Sequence, residues 1–307
     1  MSLLALIAVF LIEQLQPLDY RRIVAEPLGA WADFIESRFN AGAYRHGVLA
    51  WCVAVLLPVL LTAGVFSLLY ALNPLLALVF NVGILYLTMG FRQFSHHYTE
   101  IQIALRLGDL ERAGSLLGAW QGCSTSGLNS EEVARLSIEA ALGAAHRHVF
   151  AVLLWFVILP GPCGAVLYRL AAIIRERWQG GNVAEQHEFS LFSRQVFGII
   201  DWFPLRATAS AFAVVGDFED AVYCWRTQPA QWPDRDLGIV LASGAGALGV
   251  LLSRPMVDGA EFSDHAELGI GEPADADCMQ RAVGLVWRAT VLWALLLFLL
   301  GLASLAG

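Results

Sequence analysis

Residues 47–90 run for 44 positions without one charged side chain, and a membrane crossing takes about 20 apolar residues. The stretch predicts two crossing helices parted at Asn73-Pro74, because proline cannot continue the first helix and is well suited to begin the second. A last apolar run, from Ala282 to about Ala306, is also long enough to cross, with Trp287, Arg288 and Trp293 near one end as interfacial anchors. Residues 1–12 are too few for a full crossing. They lack the basic start and small-residue cleavage site of a signal peptide, so they predict a retained, partly inserted helix. Residues 149–174 are apolar but contain Pro160-Gly161-Pro162, which predicts a broken or re-entrant element. In 195–215 the run holds Asp201, Pro204 and Arg206. Charges are expensive in lipid, so either the segment lies at the interface or Asp201 and Arg206 face the protein interior. Residues 237–252 barely span, and their glycines at 244, 246 and 249 permit close helix packing, which leaves room for homo-oligomerisation through this helix.

Polar segments lie between these runs. Residues 91–148 predict a cytoplasmic region of amphipathic helices, the last of them capped by Ser130 with Glu131 and Glu132 in its first turn. Arginines flank the 47–90 hairpin on both sides, Arg21, Arg22, Arg38 and Arg45 before it and Arg92, Arg106 and Arg112 among those after it. The positive-inside rule then puts both flanks in the cytoplasm. Residues 175–194 read as a polar connection, 216–236 as a short helix and linker, and 253–281 as an acidic loop. The chain is thus read as a single domain, 1–307. Its fold class is all-α: a polytopic helical membrane protein with four or five inserted helices and cytoplasmic amphipathic helices.

Composition agrees with this pattern. Apolar residues make up 57% of the chain and charged residues 15%, against roughly 45–50% and about 25% in soluble domains. The lipid bilayer is therefore the first partner. All 19 basic residues are arginine, opposed by 27 acids for a net charge of -8, which argues against nucleic acid as a partner. Five cysteines stand singly, at 52, 123, 163, 224 and 278, with no CxxC pair to suggest a thiolate metal site or a disulfide scaffold. His96-His97 and His146 with His148 invite a metal reading, but adjacent and i,i+2 side chains on a helix point apart. Polar caps are the plainer reading, and metal ligands stay unassigned. No P-loop, dinucleotide fingerprint, HExxH or GxSxG pattern occurs.

Several segments, in order, resemble the integral membrane superfamily that contains the CobD/CbiB cobalamin-biosynthesis proteins and AmpE. LLALIAVFLIEQLQPLDYRR resembles the opening helix of the AmpE branch, and FGIIDWFPLRATASAFAVVGD at 197–217 is similar to both branches. GDLERA at 108–113, PGPCGAVLYRLA following Leu159 and ALGVLL at 247–252 resemble CbiB segments. By position, the resemblance implies Asp109, Glu111, Glu139, Tyr168, Arg169, Asp201 and Arg206 as binding residues for a cofactor or substrate. The chain also departs from the CbiB pattern: GCST at 122–125 replaces a GRDT-type segment, His146 stands where an acidic-amide pair is expected, and Asp201 is single where the pattern doubles it.

The resemblance carries two functional expectations. The AmpE branch implies a regulatory inner-membrane protein, or one with an uncharacterised ligand-binding function, and the departures favour this reading. As the alternative, the CbiB branch implies an adenosylcobinamide-phosphate synthase, which joins an aminopropanol-type group to a corrinoid propionate in an ATP-dependent amide condensation. ATP and Mg²⁺ would be needed only in that case. The small ligand is a corrinoid or another molecule, the location is the bacterial inner membrane, and catalytic residues stay unassigned. A small-solute transporter is a third reading, supported by the break at 160–162 and opposed by the lack of an internal repeat.

Overall fold

The computed structural model describes residues 2–15, 20–122, 124–125, 127–178, 184–232, 234–252 and 268–306. In chain order the helices are α1 Ser2–Leu15, α2 Glu26–Phe39, α3 Tyr44–Trp51, α4 Leu57–Leu72, α5 Pro74–Thr88, α6 Phe91–Arg106 and α7 Leu110–Gln121. They continue with α8 Ser130–Ala145, α9 Ala151–Ile158, α10 Cys163–Trp178, α11 Ala184–Val215, α12 Phe218–Thr227, α13 Arg235–Leu248 and α14 Ala276–Ala306. One departure from an all-helical chain is a two-residue parallel strand pair, β1 Val250–Leu251 with β2 Glu272–Pro273. Of the acidic loop, residues 253–267 lie outside the described residues.

Among the described residues, four helices are long and apolar enough to cross a membrane: Tyr44–Leu72, Ser130–Ile158, Glu188–Val215 and Ala276–Ala303. Leu3–Glu13 and Pro74–Thr88 are shorter apolar helices. The chain is a polytopic α-helical membrane protein with further helices outside these spans. The Asn73-Pro74 break forms as expected: the Asn73 side chain accepts a hydrogen bond from the Leu75 N–H at 2.8 Å and caps α5. Only 11% of the apolar window in Tyr44–Leu72 is buried against protein, whereas 67% of that in Ser130–Ile158 is. The first therefore shows leucines such as Leu60, Leu61 and Leu68 to lipid.

The second long helix changes the expected organisation. The polar helix from 130 does not stop before the apolar run at 149. A π turn, His146–Phe150, joins α8 to α9, and Ser130–Ile158 is one continuous helix long and apolar enough to cross a membrane. Its charged residues fall in its first half, which made it read as a surface helix, but a polar face is tolerated at membrane depth when it is turned toward protein. The cap is also one residue earlier than expected. Asn129 accepts from the Glu132 N–H while Glu132 accepts from the Asn129 N–H, both at 2.8 Å, leaving Ser130 as the first helical residue.

The chain divides into two compact units, 1–93 with 148–204 and 94–147 with 205–307. In the first, α10 packs against α2, α4, α5 and α9, and α1 packs on α5. Its core includes Leu6, Ile35, Leu85, Phe150, Tyr168 and Trp178. Two tryptophans in this unit answer two prolines. Proline has no N–H, so Pro58 and Pro204 leave the carbonyls four residues earlier without their usual helical donor. Trp31 Nε1 donates to the Ala54 carbonyl at 3.3 Å, and Trp155 Nε1 donates to the Ile200 carbonyl at 3.1 Å.

In the second unit α13 is buried at every residue from Gly238 to Leu248, packed on α8, α12 and α14. A Cβ on Gly244 would lie 2.8 Å from Leu142 Cδ1, and one on Gly246 would lie 2.6 Å from the Asp220 carbonyl oxygen. Gly244 and Gly246 thus both serve close contacts within one chain. Gly249, at φ 66°, ends α13 in the left-handed conformation and turns the chain into β1. At the start of α14, Tyr98 from α6 donates to the Met279 carbonyl at 2.9 Å.

Candidate functional site

The break at Pro160-Gly161-Pro162 builds the site. α9 ends at Ile158, Gly161 turns with φ 65°, and α10 begins at Cys163 against the helix it has just left. Gly164 meets the Trp155 backbone so closely that a Cβ would overlap the Trp155 carbonyl oxygen. This contact sets the register of α10 and brings the adjacent Tyr168 and Arg169 into the core of the first unit, where each is at most 4% exposed.

Tyr168 reaches α11. Its hydroxyl donates to Asp201 Oδ1 at 2.9 Å, and both residues are buried. Its ring lies 5.7 Å from that of Phe197, one helical turn before Asp201. Asp201 is thus an interior side chain held by protein groups, which resolves the choice between an interfacial and an inward-facing segment at this position.

Arg169 points elsewhere. Its Nη2 donates to His148 Nδ1 at 2.6 Å, so His148 accepts there with a neutral ring whose proton is on Nε2. The guanidinium lies 4.4 Å from the centroid of the Tyr20 ring, and Tyr20 and His148 meet edge to face at 5.8 Å. Burial pushes the Tyr20 phenol above its ordinary value of 10.0, with the Arg169 charge offsetting part of the rise. Tyr20 thus stays a neutral hydroxyl.

The other expected residues belong to the second unit. Asp109 caps α7, accepting from the Arg112 N–H at 3.1 Å, and Glu111 is exposed in the first turn of the same helix. Glu139 is half-buried on α8, one turn after Arg135, and Arg206 is half-buried on α11. The seven residues therefore fall into two groups, Tyr168, Arg169 and Asp201 in one unit and Asp109, Glu111, Glu139 and Arg206 in the other. In the GCST segment, Thr125 Oγ1 donates to the Gly114 carbonyl at 2.8 Å, a structural tie, while Cys123 lies outside the described residues. His146, the substituted position, is buried with Nδ1 3.0 Å from Thr208 Oγ1.

Tyr20 and His148 are the residues the sequence reading did not assign to this site. The LDYRR run looks like an interfacial aromatic beside arginines, and no local pattern links position 20 to position 169. No three His, Cys, Asp or Glu side chains among the described residues form a group able to hold a metal ion. Chemically, the arrangement offers a buried carboxylate held by a phenol and a buried guanidinium with donors facing a second phenol.

Comparison with known proteins bears on what such a site serves. The model of the CobD/Cbib protein family matches residues 19–286. The cobalamin biosynthesis protein CobD of Stutzerimonas stutzeri is 36% identical over 280 residues, covering 89% of this chain and 90% of the relative. That of Chromobacterium violaceum is 36% identical over 223 residues, covering 73% and 71%. The CobD of Streptococcus sanguinis is 25% identical over 264 residues, covering 84% and 83%. No solved structure matches the chain. With the family model matching 19–286, a range that includes Tyr168, Arg169 and Asp201, the chain belongs to the CobD/CbiB family of integral membrane proteins.

Proposed function

We propose that the protein acts in cobalamin biosynthesis as an amide-forming synthase of the adenosylcobinamide-phosphate type. The observation that carries this reading is the near end-to-end match to relatives named for cobalamin biosynthesis, which favours it over the regulatory role that the AmpE likeness suggested. The structure adds a buried polar cluster in a membrane protein, where such groups are costly and tend to mark function.

The reaction joins a corrinoid propionate to an amine. ATP drives it by activating the carboxylate, and the amine nitrogen then forms the amide bond as the activating group departs and the amine loses a proton. Arg169 would hold an anionic group of a substrate, since a guanidinium matches carboxylate and phosphate geometry. The Tyr168–Asp201 pair would act as a positioning element, fixing α10 against α11 so that Arg169 keeps its direction. Among the described residues no side-chain set holds Mg²⁺ by itself, and no step is assigned to a resident metal.

The test is product formation. Detergent-purified protein is given an adenosylcobinamide-type corrinoid, an aminopropanol-type amine, ATP and Mg²⁺, and the corrinoid is followed by mass spectrometry. An ATP-dependent gain of the amine as an amide supports the synthase. No product from folded protein, with a known synthase active in the same assay, returns the weight to a regulatory role.

A further inference from the structure

We infer that His148 is a positioning residue for Arg169, aiming its guanidinium at an anionic group of the substrate by a bond that does not take up the charge. Arg169 sits on α10 and is 4% exposed. Two side chains from distant parts of the chain set its plane and direction. The Tyr20 ring lies under one face, with its centroid 4.4 Å from the guanidinium carbon, and His148 Nδ1 accepts from Nη2 at 2.6 Å. Tyr20 and His148 also meet each other, edge to face at 5.8 Å, so the three groups brace one another. A ring face restrains the guanidinium out of its plane, and an acceptor at one nitrogen restrains it within that plane. The direction of its other N–H groups is thereby set.

The chemistry of the acceptor decides what this bond leaves available. A carboxylate paired with a guanidinium orients it and also takes up its charge. Imidazole accepts through Nδ1 only when it is neutral, so the His148 bond orients Arg169 and leaves the charge to act on a ligand. His148 is half-buried within the π turn His146–Phe150. Such a turn carries an extra residue that shifts the face the following side chains present, and π turns recur at functional sites.

This inference rests on the synthase reading for the part given to Arg169, and the experiment has two arms that separate them. In the first, nitrogen NMR of the full chain in detergent, labelled in histidine, reads the His148 ring, assigned by its absence from His148→Gln. The expected signal is a neutral ring with its proton on Nε2 and an Nδ1 shift that Arg169→Met removes. A proton on Nδ1, or a signal that Arg169→Met leaves alone, overturns the inference. In the second arm, calorimetric binding of MgATP and of an adenosylated corrinoid with a free propionate is set beside product formation for the parent, His148→Leu, His148→Gln and His148→Glu, each checked by its Tm. His148→Leu is expected to weaken binding of one probe and raise its KM about tenfold, with kcat little changed. His148→Gln, a neutral acceptor, is expected to recover most of the loss. His148→Glu, a charged acceptor, is expected to bind as poorly as His148→Leu although it holds the guanidinium at least as firmly. A structural role alone would order the variants by Tm and leave KM in place. Parent-like binding by folded His148→Leu, or His148→Glu binding as well as His148→Gln, overturns the inference, and the NMR arm with the comparison of His148→Gln and His148→Glu decides even where His148→Leu fails to fold. A parent that binds neither probe overturns both readings. Binding in the expected order without product from the parent defeats the synthase and leaves the positioning role standing, whereas product formed at the parent KM by all three variants defeats the positioning role alone.

Discussion

The Tyr168 hydroxyl donates to Asp201 Oδ1 at 2.9 Å, joining two helices by a buried bond between residues 33 positions apart. Tyr168→Phe keeps the ring against Phe197 and removes the donor. Hydrogen bonds to charged groups contribute about 1.5–3 kcal/mol, so the variant is expected to unfold several degrees below the parent. Asp201→Asn retains an acceptor for the phenol and is expected to cost less. A scan of both variants in detergent checks the order, and equal losses would mean that charge at Asp201, rather than this bond, supplies the stability.

Pro204 and Trp155 form a second pair, through the Ile200 carbonyl that the proline leaves without its helical donor. Trp155→Phe is expected to destabilise by about 1–3 kcal/mol, the cost of an orphaned buried polar group. Pro204→Ala restores an N–H that can bond Ile200. The tryptophan substitution should therefore cost less in the Pro204→Ala background, and a double-mutant cycle measures the difference. Equal cost in both backgrounds would attribute the role of Trp155 to ring packing alone.

Gly246 faces the Asp220 backbone within the second unit. Gly246→Val places a branched side chain against a carbonyl and is expected to destabilise the fold by about 1–3 kcal/mol as overpacking. Light scattering on the solubilised protein separates this from an oligomer contact. A variant that stays as stable as the parent but changes mass would show that α13 joins copies after all.

Asp109 caps α7 through the Arg112 N–H. Asp109→Ala is expected to cost about 0.5–2 kcal/mol, while Asp109→Asn, also a good cap, keeps most of the stability. Product formation then separates the roles. Full activity in Asp109→Asn assigns the residue to capping, and lost activity at unchanged Tm gives its charge a part in binding.

Asp275 precedes α14 and accepts from the Cys278 N–H at 2.6 Å. Hydrogen bonding from Cys278, its thiol first and its backbone N–H next, holds the Asp275 carboxyl below its ordinary value of 3.8. Folded protein thus binds fewer protons at this site than unfolded protein does. The stabilisation is fully present well above pH 3.8 and is lost as pH falls through the depressed folded value. Unfolding of the parent and of Asp275→Asn between pH 6 and pH 3 should show the two curves converging at the acid end, and a constant gap would remove the charge from the account.

Membrane embedding, the turn at Asn73-Pro74, the break at 160–162 and the family likeness were all legible in the order of residues. Each rests on local quantities: the length of an apolar run, the chemistry of proline, the spacing within a short motif. The seven candidate residues came from motif position, which says which side chains to watch and not which meet. Tertiary structure joined Ser130–Ile158 into one continuous apolar helix, because charges on such a helix are disfavoured only until a protein face receives them. It decided that the α13 glycines serve contacts within the chain, since a small-residue face suits a neighbouring helix of its own chain as well as a second copy. It also paired Tyr168 with Asp201, Arg169 with His148 and Tyr20, and Trp31 and Trp155 with carbonyls freed by proline. A hydrogen bond between distant positions is set by helix register and packing, and it leaves no periodic trace in the sequence around either partner.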